Sequence, residues 1–544
     1  MARNVNGFLG TYPTIAAVTA AFPPSEHVGC SANIGTATPY QKAWCDGISW
    51  AGLTASQVEG LSWAVQGVFG YESDKAALGR AKQREFYEAL AFPAVYYDPS
   101  LGADTGNGSR TSPYRDLTAA RATGGLRHLL KAGTTIAVSA GATSVWLSTT
   151  TSGTAAAPVI IGRYGDGANP LINCTGAQRG IRFGTNVKYW RVRDIEIYGN
   201  SAGTDRYGIS QNSVDATADQ DTTYNHVLER VTVRDITGDA STDCNGIKLY
   251  GADNELINCT VYNIGTDAMW IHGNRTLIQS CIIWNVATDG RIAGDCIQFG
   301  AASNNSIVRG CDLDHRSTDG KQCIYFEQTV SVSDSVLVEG NICRGWEGAT
   351  TNSASPLLCG ATNSIVRYNY VTGGIQGILL GEGTLGYGNI VLAPVGRGLE
   401  LQTGAKAFHN TMVQTGAQTG QTLSVGIRTP SGAVNTEARN NVIVGFANSI
   451  LVGHATTTAV ESHNAFYTTG GTPAHYRVNG TITAPTDALI GSSAADLGLD
   501  AAYRPTSLTA AVYTTLYQTP STVVQPVDKD QRFGAMPRGA YLYV

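Results

Sequence analysis

The chain has 544 residues and a formal charge of -5, so it carries no net basic field with which to hold DNA or RNA. Charged residues make up only 15%, below the usual quarter, and glycine is abundant at 64, a composition suited to many short strands joined by turns. No run of about 18 apolar residues exists, so no membrane insertion is expected. The eleven cysteines show no CxxC or CxxH spacing, so neither a metal nor a cofactor is expected.

The first residues lack the apolar stretch of a secretory signal, so the chain is expected to be made in a cytoplasm with its cysteines reduced and buried. From Tyr12 to Pro23 the sequence reads as a short helix stopped by proline. Residues 29–50, with Cys30, Trp44 and Trp50, read as a small β unit. Thr54 and Gln57 fit a capping box, followed by Val58, Leu61, Val65 and Val68 at helical spacing. Ser73 is placed to cap a second helix through Leu90. These helices form either a self-contained hairpin or a bundle about a threefold axis. Together the segments define a small α+β N-terminal domain over residues 1–93.

Residues 94–175 look like the mouth of a solenoid. Tyr97, Asp98 and Pro99 lead into a Gly/Asp/Asn-rich loop, and a short helix over Leu117–Ala122 is expected to cap the core. The apolar stretches Thr135–Val138 and Ala157–Gly165 follow.

Two landmarks then recur in phase over residues 189–466. One is a turn residue before a short strand, at Cys259, Cys281, Cys311, Asn341, Asn369, Asn389, Asn441 and Asn464, with Ile195, Val231 and Thr411 as further members. The other is small-apolar-x-apolar, at Ile247, Met269, Ile297, Ile324, Leu357, Ile378, Leu399 and Ile427. The spacing varies from 20 to 36 residues, which suits coils with constant strands and elastic loops. Each coil reads as strand 1 (such as Ile247–Leu249), strand 2 (Leu256–Asn258), a tight turn, and strand 3 (Thr260–Tyr262). Side chains two apart share a face, so the flanking apolar residues of strand 1 point inward and the middle one outward. Cys259, Cys281 and Cys311 should form an axial ladder that Asn341, Asn369 and Asn389 extend, with the asparagines in a left-handed turn conformation. Cys296 and Cys323 should stack before strand 1 of neighbouring coils. The fold class is therefore all-β, a right-handed parallel β-helix solenoid over 94–465, followed by a C-terminal cap or trimerisation region over 466–544.

The outward residues of strand 1 change along the axis. The middle positions are Lys248, Trp270, Gln298 and Tyr325, then Leu358 and Leu379; the next outward positions are Tyr250, His272, Gly300 and Glu327. Aromatic and ionisable groups thus concentrate in four coils, a pattern that suits a sugar polymer on a rigid face. Gly300 should leave a gap between His272 and Glu327, two coils or roughly 10 Å apart, for a sugar ring. Asp267 and Asp295 each precede a strand 1 by two residues and should sit roughly 5 Å apart in matching rows. Two carboxylates that close split their pKa values, as glycoside hydrolysis requires, with Glu327 a third acid. The competing reading makes both aspartates ordinary turn residues. Alternatively Lys248, His272 or Tyr325 acts as base in a lyase and Arg291 neutralises a uronate carboxylate. Strand 3 offers a rival surface, with Tyr198, Arg234, Tyr262 and Trp284 and the acid pair Asp312 and Asp314 beside His315 and Arg316, or else a subunit interface. Arg309, Glu339 and Arg367 read as a surface salt-bridge ladder of little energetic weight.

The opening at Tyr97–Pro99, its polar loop, and the later Ala157–Gly162 stretch resemble those of bacterial and phage β-helix proteins related to pectate lyases. The closing Asp528–Tyr541 segment is similar to those of bacterial β-helix proteins, and residues 29–50 look like the compact leaders of phage tail proteins. The resemblance covers about residues 94–465. Pectin-cleaving hydrolases of this fold carry Asn-Thr-Asp, Asp-Asp, Gly-His-Gly and Arg-Ile-Lys motifs. Here only partial echoes stand at Gly265–Ala268 and Ile271–Gly273, so no catalytic residue is carried over. The resemblance implies a homotrimeric phage tailspike, located in the virion and joined to a tail or baseplate protein through its N-terminal domain. It would bind and cleave a bacterial surface polysaccharide, with hydrolysis favoured over elimination and a non-catalytic adhesin as the rival.

Overall fold

The small residue before each strand 1 has a steric reason. A Cβ on Gly208 would lie 2.4 Å from the Val233 side chain, and one on Gly246 2.7 Å from that of Val261. Strand 3 of the same coil therefore closes directly against the strand 1 backbone. In this computed structural model the repeated unit builds three sheets of fourteen strands each. The strand 1 sheet runs from Gly141–Thr149 to Ala474–Val478, where Thr481–Ile482 closes it antiparallel. The strand 2 sheet runs from Ala94–Tyr97 to Ala459–Ser462, and the strand 3 sheet from Thr135–Ala137 to Leu489–Ile490. Successive coils pair in parallel, as Ile247 with Met269 and Thr260 with Ile282. With the right-handed preference of parallel crossovers, the chain is a right-handed parallel β-helix.

The structure describes residues 8–12, 31–34, 41–45, 50–53, 84–139, 141–200, 205–212, 222–238, 243–288, 294–300, 303–316, 322–326, 332–345, 355–392, 396–414, 424–453, 459–467, 474–478, 481–482, 485–486 and 488–491. The chain divides into two units, Met1–Ala94 and Val95–Val544. In the first, Phe8–Tyr12 pairs in parallel with Ser31–Ile34, which continues antiparallel through Gln41–Cys45 to Trp50–Leu53. A helix covers 84–91, overlapping the C-terminal end of the second expected helix, whereas the expected helix from Thr54 lies outside the described residues.

Inward residues stack coil on coil into one apolar core. Ile209, Ile247, Met269, Ile297, Ile324, Leu357 and Ile378 are all fully buried, and Phe299 stacks on Phe326 at 4.3 Å. Nine of the eleven cysteines are described as free and buried. Cys259, Cys281 and Cys311 stand in successive coils. At Cys311 the ladder changes chemistry: its N–H donates to Asn341 Oδ1 at 3.0 Å. From there Asn341, Asn369, Asn389, Asn410 and Asn441 each pass a side-chain amide bond to the next, ending at Asn464, at 2.9 to 3.1 Å. Burial of these amides is tolerable because each also reaches a backbone carbonyl.

Three expectations need correction. The left-handed residue of the tight turn is not the ladder asparagine but the residue before it: Asn258, Ser280, Gly310, Gly340, Tyr368 and Gly388 all have positive φ. The ladder side chain points inward to bond its neighbours, so the conformational cost falls one position earlier. Leu117–Ala122 is a turn rather than a helix, closed by Ala122 N–H to Thr118 O, with Leu117 and Ala122 still plugging the core. Gly125, at φ 76°, takes the chain out of any right-handed helix. Finally, the coil pattern does not end at residue 466, since Ala474–Val478 pairs with Asn448–Val452 and Leu489–Ile490 with Ala465–Tyr467.

Candidate functional site

Three outward rows run along the strand 1 sheet. The middle row is Arg182, Ser210, Lys248, Trp270, Gln298, Tyr325, Leu358, Leu379, Glu400 and Arg428. A second row, displaced three residues toward the N-terminus, begins with Arg179, Tyr207 and Asn245 and continues through Asp267 and Asp295. The third holds Tyr250, His272 and Gly300.

The chemistry concentrates around Lys248. Its ammonium lies 4.1 Å from the centroid of the Trp270 ring and 5.2 Å from that of Tyr207. Arg179 approaches the same Tyr207 ring at 5.2 Å. Burial holds the Lys248 amine below its ordinary range, against the opposing pull of Asp243 and Asp267. Among the described residues no hydrogen bond or ion pair reaches that amine. The Ser210 hydroxyl, Arg179 Nε and His272 Nδ1 are likewise buried without a hydrogen-bond partner. Buried polar groups usually find partners inside the protein, so these three groups, on the same face as the half-buried Lys248 amine, mark that face as the candidate site.

The aromatic side chains are locked together. Trp270 packs on His272 at 3.9 Å, and Tyr250 contacts both, at 5.3 and 5.5 Å. Burial, helped by the Lys248 charge, pushes the His272 imidazole down to about 4, so it is neutral at pH 7. Burial, and next Asp243, pushes the Tyr250 hydroxyl up to about 12; Tyr207 also moves up, for the same reason and because of Asp205 and Asp243. Both phenols remain protonated. The expected gap at Gly300 is filled: a Cβ there would fall 1.6 Å from His272 Nε2. Glycine at 300 makes room for the imidazole, so the gap expected there is not open.

Asp267 and Asp295 do occupy the same row in adjacent coils. They belong to a turn ladder: Asn245 Oδ1 accepts Asp267 N–H at 3.1 Å, Asp267 Oδ1 accepts Asp295 N–H at 2.8 Å, and Asp295 Oδ1 accepts Gln322 N–H at 2.9 Å. Both are buried. Gln298 and Tyr325 continue the middle row and are half-buried. Glu327 and Arg291 lie outside the described residues. On strand 3, Arg344 pairs with Asp312, and Arg316 with Asp314 at 2.6 Å, so the rival acids are each matched to a cation. Glu339 pairs with Arg367 at 2.6 Å and with Arg309 at 3.4 Å, the anticipated ladder.

The sequence reading missed Arg179, Arg182, Tyr207 and Ser210. The signal was present, because Ile181 and Ile209 each follow a glycine as Ile247 does. They stand two coils and one coil before Ile247 in the strand 1 sheet.

The three-sheet architecture defines the class as a parallel β-helix. No family model and no curated protein matches the chain. Among solved structures, a lacto-N-biosidase from Eubacterium ramulus is similar at 14% identity over 80% of this chain and 74% of that one, with a TM-score of 0.36. The Dettilon tailspike protein is similar at 13% identity, covering 72% and 70%, with a TM-score of 0.39. A mannuronic acid specific family 6 lyase from human gut microbiota reaches a TM-score of 0.45 at 12% identity, covering 74% and 92%. At such identities the likeness is one of fold.

Proposed function

We propose that the protein is a phage tailspike that binds an acidic bacterial surface polysaccharide on the strand 1 face and depolymerises it. The observation that carries this is the set of buried polar atoms without partners, Arg179 Nε, Ser210 Oγ and His272 Nδ1, with the half-buried Lys248 amine, beside the Trp270, Tyr207 and Tyr250 rings. Aromatic faces suit sugar rings, and unmatched cations suit their carboxylates.

Hydrolysis by Asp267 and Asp295 is the reading favoured from sequence, but elimination fits this geometry better. Each aspartate spends an oxygen on the neighbouring coil, whereas Lys248 is an amine already shifted toward neutrality. Arg179 and Arg182 would neutralise the uronate carboxylate. Neutral Lys248 takes the proton from the carbon beside that carboxylate. The released electron pair forms a carbon–carbon double bond as the adjacent glycosidic C–O bond breaks. The Tyr250 hydroxyl gives its proton to the departing oxygen, and solvent restores both groups.

The homotrimer and virion address belong to the same proposal. Ile282 and Trp284 on strand 3 are 49% and 37% exposed, an apolar surface that a second copy would cover. The separate unit Met1–Ala94 would join the tail.

The test is digestion of a panel of capsules and O-antigens, with mass spectrometry of the products. Shortened acidic polymer with unsaturated ends is expected, and Lys248→Ala should be slower by about a hundredfold or more. Saturated products would assign hydrolysis instead. Binding without shortening would make the protein an adhesin.

A further inference from the structure

Farther along the strand 1 sheet stands a second polar cluster that the Lys248 centre does not use. Glu400 occupies the middle row, six coils from Lys248, a distance of roughly 29 Å at ordinary strand spacing. Its carboxylate is buried and held by two guanidinium groups, Arg397 at 2.6 Å and Arg428 at 3.1 Å. Gln402 Nε2 adds a contact to the other oxygen at 3.4 Å. Arg397 is held below the ordinary arginine range by burial. One coil earlier, in register with Arg397, Gln376 is only 8% exposed and its Nε2 is buried without a hydrogen-bond partner.

Two positive groups share one negative group here, so the cluster keeps a net positive charge. Each arginine uses one nitrogen on Glu400 and retains donors toward solvent, with side chains 23% and 25% exposed. Glu400 fixes both forks in place, so little conformational entropy remains to be lost when an anion arrives. The unsatisfied Gln376 amide adds a neutral donor beside them. Between the two sites the sheet presents Leu358 and Leu379, with Gly360 and Gly381 next to them, and no charged side chain in the middle row.

We infer that Gln376, Arg397 and Arg428, organised by Glu400, form a distal subsite for a second carboxylate of the same polysaccharide chain, which lies along the helix axis. The inference rests on the polysaccharide reading above and adds to it that the polymer is regularly acidic and engaged over at least six coils. Contact with one such anion through charge-assisted bonds is commensurate with about a tenfold gain in affinity.

The test uses the full chain and size-fractionated polyuronates (alginate, polygalacturonate and hyaluronate), with dextran as neutral control. Fractions are chosen too short, or long enough, to bridge roughly 29 Å. Wild type should bind the long fraction of at least one polyuronate more tightly than its short fraction. Arg397→Gln with Arg428→Gln should lose about tenfold for the long fraction and nothing for the short. Arg428→Gln alone, in which Arg397 still holds Glu400, should show part of the same loss if the double variant fails to fold. Lys248→Ala should weaken both fractions. Equal binding of the long fraction by wild type and Arg428→Gln overturns the subsite. Binding of dextran alone overturns it while leaving a polysaccharide function standing, and binding of no polysaccharide in this set or the capsule panel removes both.

Discussion

At the scale of single residues, the proposed chemistry turns on a lysine whose pKa burial lowers and on two aspartates occupied elsewhere. Asp267 and Asp295 use Oδ1 as an acceptor for the next coil's amide, a role that asparagine can also fill. Asp295→Asn should therefore keep the fold and retain activity within severalfold, where an acid–base role would cost about a hundredfold. Asp267→Asn has a signed consequence. The Asp267 charge raises the Lys248 pKa, so its removal should move the acid limb of the kcat/KM profile to lower pH; an unmoved limb would disconnect Lys248 from catalysis. His226 provides a second pH test. Fully buried and stacked on Phe183 at 4.4 Å, it receives the Trp190 N–H at Nδ1 and meets Gln211 Oε1 at 2.6 Å, so a neutral ring donating from Nε2 satisfies both partners. Burial pushes its pKa down to about 3. The unfolded imidazole takes its proton near pH 6.5 and the folded one does not, so stability is full above 6.5. Stability falls as pH drops toward 3, by up to about 1.4 kcal/mol per pH unit. Urea titrations at stepped pH should show this slope in wild type and a shallower one in His226→Gln.

At the scale of elements, the asparagine ladder is where one residue holds several coils. Asn389 donates to Val366 O and Asn410 Oδ1 and accepts two N–H groups from Asn369. Asn389→Ala leaves those groups buried and unmatched and should cost roughly 3 kcal/mol or more in unfolding free energy; a loss below roughly 1 kcal/mol would mean that water replaces the amide. The ladder also marks what the sequence could and could not disclose. Its members were legible because turn chemistry and strand period recur together, as at Asn341 and Asn369. The residue carrying positive φ was not legible, because it varies among Asn258, Ser280, Gly340 and Tyr368, and the fold rather than the side chain imposes that conformation. In the candidate site, Lys248, Tyr250, Trp270 and His272 were legible as outward residues of consecutive strands. The tuck of His272 over Gly300 was not, because alternation specifies a face and not a rotamer. Arg179 and Tyr207 were hidden differently, since strict alternation does not put a position three residues from the middle row on the same face.

At the scale of the whole molecule, three sheets close one continuous core while their outer faces carry different chemistry. Strand 2 bears the Arg309, Glu339 and Arg367 ladder, strand 3 the Tyr262 and Trp284 stack at 4.3 Å beside exposed Ile282, and strand 1 the cations and unmatched donors. The strand 3 face is the one proposed to meet other copies. Light scattering should return three times the 57.2 kDa chain mass, and Trp284→Glu should lower it; a monomer at micromolar concentration would reject the trimer. The strand 1 face is the one proposed to meet polymer, and this is the central claim. The most direct measurement is a crystal structure of Lys248→Ala soaked with an oligosaccharide cut from whichever polymer the wild type shortens. Sugar rings should lie against Trp270 and Tyr207 with a carboxylate at Arg179. Sugar density bound instead on strand 3, at Asp312 and Asp314, would contradict it.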